Sequence, residues 1–206
     1  MMGRSNTIAI ALLFVLLCFA APVLAGVPTE QIKSTVDKAL VVLKDPRLKP
    51  AAKTRERRDQ LRQILYARFD FAEMARRALG SNWRRRTPQE QAEFVPLFTE
   101  VLERAYADII ESYIDDKIKI VYLNERVDGN FADINSKILT GKGEEYSLNY
   151  KAHLVGGEWK VYDVVAENIS LVNNYRSQFT RVISNASYEE LVRRLKNKAD
   201  FTAPKP

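Results

Sequence analysis

The sequence has almost none of the residue types that build metal and thiol sites. Among its 206 residues there are one cysteine, Cys18, and one histidine, His153. No disulfide can form within such a chain, and a zinc site built from several cysteine and histidine ligands is excluded. Glycine-rich loops with the spacing of a phosphate-binding motif are also lacking. These absences argue against a metalloenzyme, a thiol enzyme and a nucleotide-dependent enzyme.

A pair of groups for acid–base catalysis is missing as well. The acidic pairs 115–116 and 144–145 lie where strands are predicted to begin or end, as expected of solvated charges. His153 falls on the polar side of a predicted strand, which indicates a surface histidine. We therefore predict a protein that is not an enzyme and that binds no cofactor and no metal. An exported hydrolase stays open as an alternative, in which His153 would be the residue to test.

The first 25 residues are predicted to be an export signal that is cleaved. Arg4 precedes an apolar run from Ile8 to Ala21, and the small residues of "VLA" suit cleavage after Ala25. An uncleaved membrane anchor is the alternative, although the run is short for a span of about 20 residues. The sequence therefore predicts a protein of the periplasm.

The rest of the chain, residues 26–206, is expected to form one domain, with a core over about 29–196 and a frayed tail. The full sequence carries a net charge of +6. Export removes nucleic acid as a partner, so this charge favours membrane headgroups or acidic protein patches. Two basic clusters, at 55–58 and 83–86, are either docking sites or solvated surfaces.

Hydrophobic periodicity predicts helices in the first half and strands in the second. Stripes of helical spacing occur over 29–43, in the basic segment that follows, and from Pro88 to Tyr113. The spacing then changes to two in "KIKIVY", "NFADINSKIL" and "EYSLNYKAHL", and a fourth strand follows. We expect an α+β fold, in which a four-stranded twisted antiparallel sheet packs against a layer of several helices.

Helix boundaries are marked by capping patterns. A capping box joins a short polar residue to a glutamate three positions later, and each satisfies a backbone amide of the other. The candidate pairs are Asp70 with Glu73, Thr87 with Glu90, and Ser187 with Glu190. Pro96 falls inside the longest helix and is expected to kink it. The bend either curves a core helix or opens space beneath it.

The last strand, in "GGEWKVYDVVA", does not alternate between apolar and polar residues. Strict alternation places Trp159, Val161 and Val165 on one face, and Tyr162, Val164 and Ala166 on the other. Both faces are then largely apolar and both need an apolar neighbour. We expect the helix beginning near Ser170 to cover one face, and the other to line an apolar space.

Two long stretches carry a specific pattern. They are "FDFAEMARRALGSNWRRRTPQEQAEFVPLF" and "WKVYDVVAENISLVNNYRSQF", with Tyr106 between them. This pattern resembles that of the MlaC family, also called the toluene-tolerance family, of periplasmic phospholipid-binding proteins. The resemblance extends from about Thr29 to Lys196. Asn168 departs from it, since glycine is expected there, but asparagine also tolerates a left-handed turn.

The resemblance implies an exported carrier with a lipid-binding cavity between the sheet and the helices. Its cargo would be a phospholipid, although another lipid such as a hopanoid stays open. By similarity, the partners would be an inner-membrane ABC transporter with an MCE protein and an outer-membrane lipoprotein–porin complex, both docked transiently. The implied roles are intermembrane lipid transport, outer-membrane asymmetry and solvent tolerance. A structural adaptor with a filled core is a further alternative.

Candidate lipid-binding residues come from the inward strand face and the helices opposite it. They are Phe94, Phe98, Val101, Tyr106, Ile109, Ile120, Ile134, Ile138, Leu148, Tyr150, Val164, Leu171, Tyr175 and Arg176. Tyrosine suits a cavity wall, since its ring lines apolar space while its hydroxyl reaches polar groups. A compact core would explain the same residues. Arg176 is the candidate for the headgroup or the mouth, unless it pairs with Asp163 or Glu167.

Overall fold

The computed structural model describes residues 27–112, 118–197 and 201. The segment assigned to the export signal and the predicted helix end at Tyr113 lie outside them. Four helices come first: α1 Pro28–Lys44, α2 Thr54–Arg68, α3 Phe71–Leu79 and α4 Pro88–Ser112. The strands are β1 Lys119–Asp128, β2 Phe131–Leu139, β3 Glu145–Val155, β4 Glu158–Ala166 and β5 Ile169–Ser170. Helices α5 Leu171–Asn185 and α6 Tyr188–Asn197 follow, which confirms the predicted α+β class.

Within the described ranges the sheet has five strands in the order β1-β2-β3-β4-β5, all antiparallel, where four were expected. The additional strand, β5, has only two residues and is paired with the end of β4. Glu167 and Asn168 form the turn between them and both have positive φ, 46° and 64°. A two-residue hairpin turn of this kind needs positive φ at both central positions. The left-handed turn expected at Asn168 is therefore what creates the fifth strand.

The capping patterns are realised to different extents. At α4 the box is complete: the Thr87 amide donates to Glu90 (2.7 Å), and the Glu90 amide donates to the Thr87 hydroxyl (3.2 Å). At α3 only one arm forms, from the Glu73 amide to the Asp70 carboxylate (2.9 Å). The Asp70 amide instead donates to the Val161 carbonyl at 2.8 Å. A tertiary contact with β4 therefore replaces the local one.

A β-bulge in β4 changes which residues share a face. Lys151 on β3 is paired with Asp163, whereas the next residue, Ala152, is paired with Val161. Tyr162 is the additional residue, and such an insertion reverses the alternation beyond it. Val164 therefore packs in the same cluster as Val161, and the alternation assumed from the sequence is wrong at this point. Both faces are apolar because the bulge keeps Val164 on the inner face with Val161, while Tyr162 packs on the opposite face with α3 and α5.

Helices cover the two faces of the sheet unequally. Helix α1 lies along the inner face and is fixed at both ends: Thr29 donates to Glu125 through its amide (2.7 Å), and Lys44 donates to the Ile118 carbonyl (3.3 Å). Helix α2 packs on α1 and reaches β4, while α3 and α5 pack on β4 as well. In the described part of the chain, α4 packs closely on α3 and α6 rather than on a strand.

The buried apolar residues form three clusters. The helical core joins α3, α4, α5 and α6 and includes Phe94, Phe98, Tyr175 and Phe179. The sheet core joins the inner face to α1 and includes Ile32, Ile134, Tyr150, Trp159 and Val161. The α1–α2 core contains Val42, Leu43, Leu48 and Leu61. Phe69 packs against both the helical core and the sheet core and connects them.

Candidate functional site

Burial changes along the inner face of the sheet. At one end the residues are fully buried beneath α1: Ala132, Ile134, Ala152, Trp159 and Val161. At the other end they are only half-buried: Ile120, Ile138, Tyr146, Leu148 and Val164. These strands are paired in register, so the second group forms a continuous apolar surface. Continuous apolar surface that helices do not fully cover is available to an apolar ligand.

The C-terminal half of α4 connects the other two clusters. Tyr106 is half-buried and packs against the helical core, whereas Ile110, one turn later, packs against the α1–α2 core. Leu171, at the start of α5, is also half-buried beside the helical core. We define the candidate site as the cluster junction: the half-buried end of the inner sheet face together with Tyr106, Ile110 and Leu171. Two other hollows, of about 420 and 340 Å³, lie on polar outer surfaces of α2 and α1 and do not coincide with it.

Six predicted site residues lie at the cluster junction. They are Tyr106, Ile120, Ile138, Leu148, Val164 and Leu171. Ile134 and Tyr150 lie in the sheet core, with Ile134 fully buried and Tyr150 at 5% exposure. Ile109 is exposed on α4. Half-buried residues missed from the sequence are Leu40, Ile64, Ile110 and Tyr122; Tyr122 shares its face with Ile120 and could have been found by that spacing.

Four further predicted residues lie inside the helical core. They are Phe94, Phe98, Val101 and Tyr175, each at most 1% exposed. Phe98 packs edge-on against Tyr175 and Phe179, with ring centroids 5.3 and 5.4 Å apart. These rings stabilise the helical layer and are enclosed by it, and the hydroxyl of Tyr175 is buried with them. The lipid-contacting role of the complete set of candidates stays a prediction.

Arg176 has a structural contact that the sequence did not indicate. Its Nε donates to the Arg77 carbonyl at 2.8 Å, and its side chain lies against Gly80. Gly80 ends α3 with φ of +57°, a conformation that favours glycine. The alternative ion pairs are absent among the described residues, because Asp163 binds Ser170 and the Val172 amide. Arg176 therefore fixes the end of α3. Its side chain is exposed, and contact with a lipid headgroup stays a prediction.

Three tyrosine hydroxyls lie in or against the cores, Tyr122 in the sheet core and Tyr106 and Tyr175 in the helical core. Those of Tyr122 and Tyr175 are buried and have no hydrogen-bond partner in the described part of the chain. Burial raises the pKa of both phenols. Burial, and after it the nearby Asp163 carboxylate, raises the pKa of Tyr106 to about 12. All three phenols are therefore protonated at neutral pH and can donate hydrogen bonds.

The structure places His153 in a packed environment rather than on the surface. Its Nε2 lies 3.0 Å from the Asp70 carboxylate, and its ring packs against Phe131 and Tyr162. This contact joins β3 to the start of α3 and leads to no nucleophile. Within the residues described, no group of acidic, cysteine and histidine side chains could hold a metal. No helix in the same residues has the length and hydrophobicity to cross a membrane.

A half-buried apolar sheet face that helices partly cover, with a few buried phenols, is typical of proteins that enclose an apolar ligand. The comparisons with known proteins agree with this class. The chain belongs to the MlaC family: the family model described as "MlaC protein" matches residues 33–197.

Two relatives carry descriptive names. The chain is 26% identical over 137 residues to the "Intermembrane phospholipid transport system binding protein MlaC" of Haemophilus influenzae, covering 65% of this chain and 63% of that protein. It is 25% identical over 158 residues to the "Toluene tolerance protein ttg2D" of Pseudomonas putida, covering 76% of this chain and 73% of that protein. The match thus spans less than two thirds of the Haemophilus protein.

A solved structure is also similar. It is the phospholipid-binding protein from Ralstonia solanacearum, in complex with a phospholipid. The TM-score is 0.72 and the sequence identity 27%, and the match covers 83% of this chain and 96% of that one. The two proteins therefore share a fold that, in the Ralstonia protein, holds a phospholipid.

Proposed function

We propose that this protein is a periplasmic carrier that binds one phospholipid and moves it between the inner and outer membranes. The observation that carries the proposal is the cluster junction, with its half-buried apolar sheet face that the helices leave partly uncovered, in a chain of the MlaC family. The phospholipid held by the similar Ralstonia protein supports the same ligand class here. The acyl chains would lie along Ile120, Ile138 and Leu148.

A carrier is required because lipid does not cross water unaided. Two acyl chains expose about 30 methylenes at about 0.8 kcal/mol each, on the order of 20 kcal/mol. An apolar pocket replaces the bilayer interior and makes loading nearly neutral in free energy. The direction of transport must then come from the proteins that load and unload the carrier. This division of labour fits a chain whose sequence has no nucleotide-binding motif.

The separation of the three clusters suggests how the pocket would open. Helix α2 is held to α4 by ion pairs from Arg58 and Arg57 to Glu111 (2.9 and 3.1 Å) and from Arg62 to Glu103 (2.8 Å). Widening the junction by moving α2 away from α4 would break these three ion pairs. In this proposal the lipid enters between the α1–α2 pair and the helical core, and no covalent step occurs.

The proposed partners follow from the family and not from a visible interface. They are the inner-membrane ABC transporter with its MCE protein and the outer-membrane lipoprotein–porin complex, which together maintain outer-membrane asymmetry and solvent tolerance. The phospholipid is cargo rather than a cofactor, and the protein would have no enzymatic activity.

Lipid identification from the purified protein tests this function. The protein is exported from a Gram-negative host, purified without detergent, and analysed by native mass spectrometry and by extraction of bound lipid. We expect one phospholipid per protein, and transfer of that lipid from donor to acceptor vesicles in proportion to protein concentration. A folded protein that contains no lipid and cannot be loaded from vesicles would contradict the proposal. Binding of a hopanoid but of no phospholipid would show that the cargo is a hopanoid.

A further inference from the structure

The hydroxyl of Tyr175 is a buried polar group without a partner. Tyr175 is 0% exposed, and its ring is packed between Phe98 and Phe179 at centroid distances of 5.3 and 5.7 Å. No described residue accepts its hydrogen bond. Buried hydroxyls are nearly always hydrogen-bonded, so such a group points to an acceptor supplied from outside the chain.

Tyr106 provides a second phenol, packed against the same helical core as Tyr175. It lies on α4, where the helical core meets the cluster junction, and it is half-buried. The two phenols are close enough that Tyr106 contributes to raising the pKa of Tyr175, after the larger effect of burial. Both are protonated at neutral pH, so this part of the junction presents hydrogen-bond donors to an incoming ligand.

The charge nearby limits what kind of acceptor fits. The Asp163 carboxylate is 5% exposed and lies close enough to Tyr106 to raise its pKa. Its oxygens already accept hydrogen bonds from the Ser170 hydroxyl (2.6 Å) and the Val172 amide (3.0 Å). This negative charge disfavours a phosphate beside Tyr106, although the positive charge of Arg104 is near enough to Tyr175 to oppose the rise in its pKa. A neutral oxygen acceptor attached to an apolar chain fits beside the Asp163 carboxylate and among the aromatic rings around Tyr175.

We propose that the hydroxyls of Tyr106 and Tyr175 donate hydrogen bonds to the ester carbonyl oxygens of a bound acyl lipid. This inference rests on the proposed carrier function and deepens it, because it assigns the preferred ligand by its linkage chemistry. Lipids with ester-linked chains supply the acceptor that the phenols need. Lipids without esters, including pure hydrocarbons and ether lipids, leave the Tyr175 hydroxyl unsatisfied on binding.

The test compares two lipids that differ only in this group. Delipidated protein is titrated with dioleoyl phosphatidylglycerol and with its dialkyl ether analogue, which has the same headgroup and chains but no carbonyl. We expect wild type to bind the ester lipid roughly 3- to 10-fold more tightly, the value of one or two neutral hydrogen bonds. Tyr175→Phe and Tyr106→Phe should each reduce this ratio, and the double variant should bring it close to 1.

Tyr188→Phe is the matched control. Tyr188 belongs to the same helical core, but its hydroxyl already donates to the Glu90 carbonyl at 3.2 Å. This variant should keep the wild-type preference for the ester lipid. It should also lower the melting temperature of the lipid-free protein, whereas Tyr175→Phe should not, since that change removes no hydrogen bond within the protein.

The outcomes separate this inference from the carrier function. Equal binding of the ester and ether lipids by wild type would overturn the role of the phenols while leaving the carrier intact. The same holds if the double variant retains the full preference. Failure of the folded protein to bind either lipid would instead overturn the carrier function itself.

Discussion

The carboxylate of Asp163 accepts a hydrogen bond from the backbone amide of Val172 at 3.0 Å. Its second oxygen accepts one from the Ser170 hydroxyl at 2.6 Å. The bulge at Tyr162 places Asp163 on the outer face of β4, and the hairpin through β5 brings the start of α5 beside it. A buried carboxylate at the start of a helix satisfies free amides and interacts favourably with the helix dipole. This contact fixes α5 relative to the sheet.

Asp163→Ala should therefore lower the free energy of unfolding by about 2–3 kcal/mol, because a buried amide and a hydroxyl lose a charged acceptor. Urea unfolding at neutral pH measures the change. Asp133→Ala is the control, since Asp133 makes an exposed ion pair with Lys151 (2.9 Å), and such pairs contribute less than about 1 kcal/mol. Equal losses in the two variants would show that Asp163 does not fix α5.

The ion pairs of Glu111 predict acid sensitivity. Hydrogen bonds from Arg58, and additionally Arg57, hold the pKa of Glu111 below its usual value of 4.5, although burial opposes them. A lowered pKa in the folded state gives stability that is present above about pH 4.5 and is lost as pH falls through the folded-state pKa. Unfolding by urea between pH 7 and pH 3 should show this loss.

Glu111→Gln replaces the charged carboxylate with a neutral amide, so it should remove most of the stability that this carboxylate contributes at neutral pH. At pH 7 we expect a loss on the order of 3 kcal/mol, because Arg57 is left buried without its counter-charge. Below the folded-state pKa the variant and wild type should converge. A constant difference across the whole pH range would contradict an electrostatic origin.

Filling the cluster junction should displace lipid. Leu148 is half-buried on the inner sheet face, and Leu148→Trp puts a larger ring into the space assigned to the acyl chains. We expect several-fold less co-purified phospholipid, measured by extraction, with a far-UV circular dichroism spectrum like that of wild type. The control is Val121→Trp, because Val121 is exposed on the edge strand β1. A lipid content unchanged by Leu148→Trp would place the acyl chains elsewhere.

His153 distinguishes a carrier from a hydrolase. His153→Ala removes the 3.0 Å contact with Asp70 and should lower the free energy of unfolding by about 1 kcal/mol. Lipid binding and transfer between vesicles should be unchanged, since His153 lies outside the cluster junction. A lipase or phospholipase activity of wild type that this substitution abolishes would support the hydrolase alternative.

Local sequence patterns were sufficient for several elements. The box at Thr87 and Glu90 involves residues three apart, so the sequence alone defines the start of α4. The alternation in β3 correctly predicted that Leu148 and Tyr150 share the inner face, because strand geometry fixes this spacing. At α3 the pattern was only half right, since the Asp70 amide found a distant acceptor on β4.

The sequence by itself determined the class of fold, the family resemblance and most of the residues that become buried, because these depend on periodicity and on local hydrogen bonding. Only the tertiary structure decided which buried residues are neighbours. Phe98 and Leu148 look equally suitable for a pocket wall in the sequence, but one is enclosed by α5 and the other is half-buried on the sheet. That difference depends on how α5 packs against α4 and on the bulge at Tyr162, which no local pattern encodes.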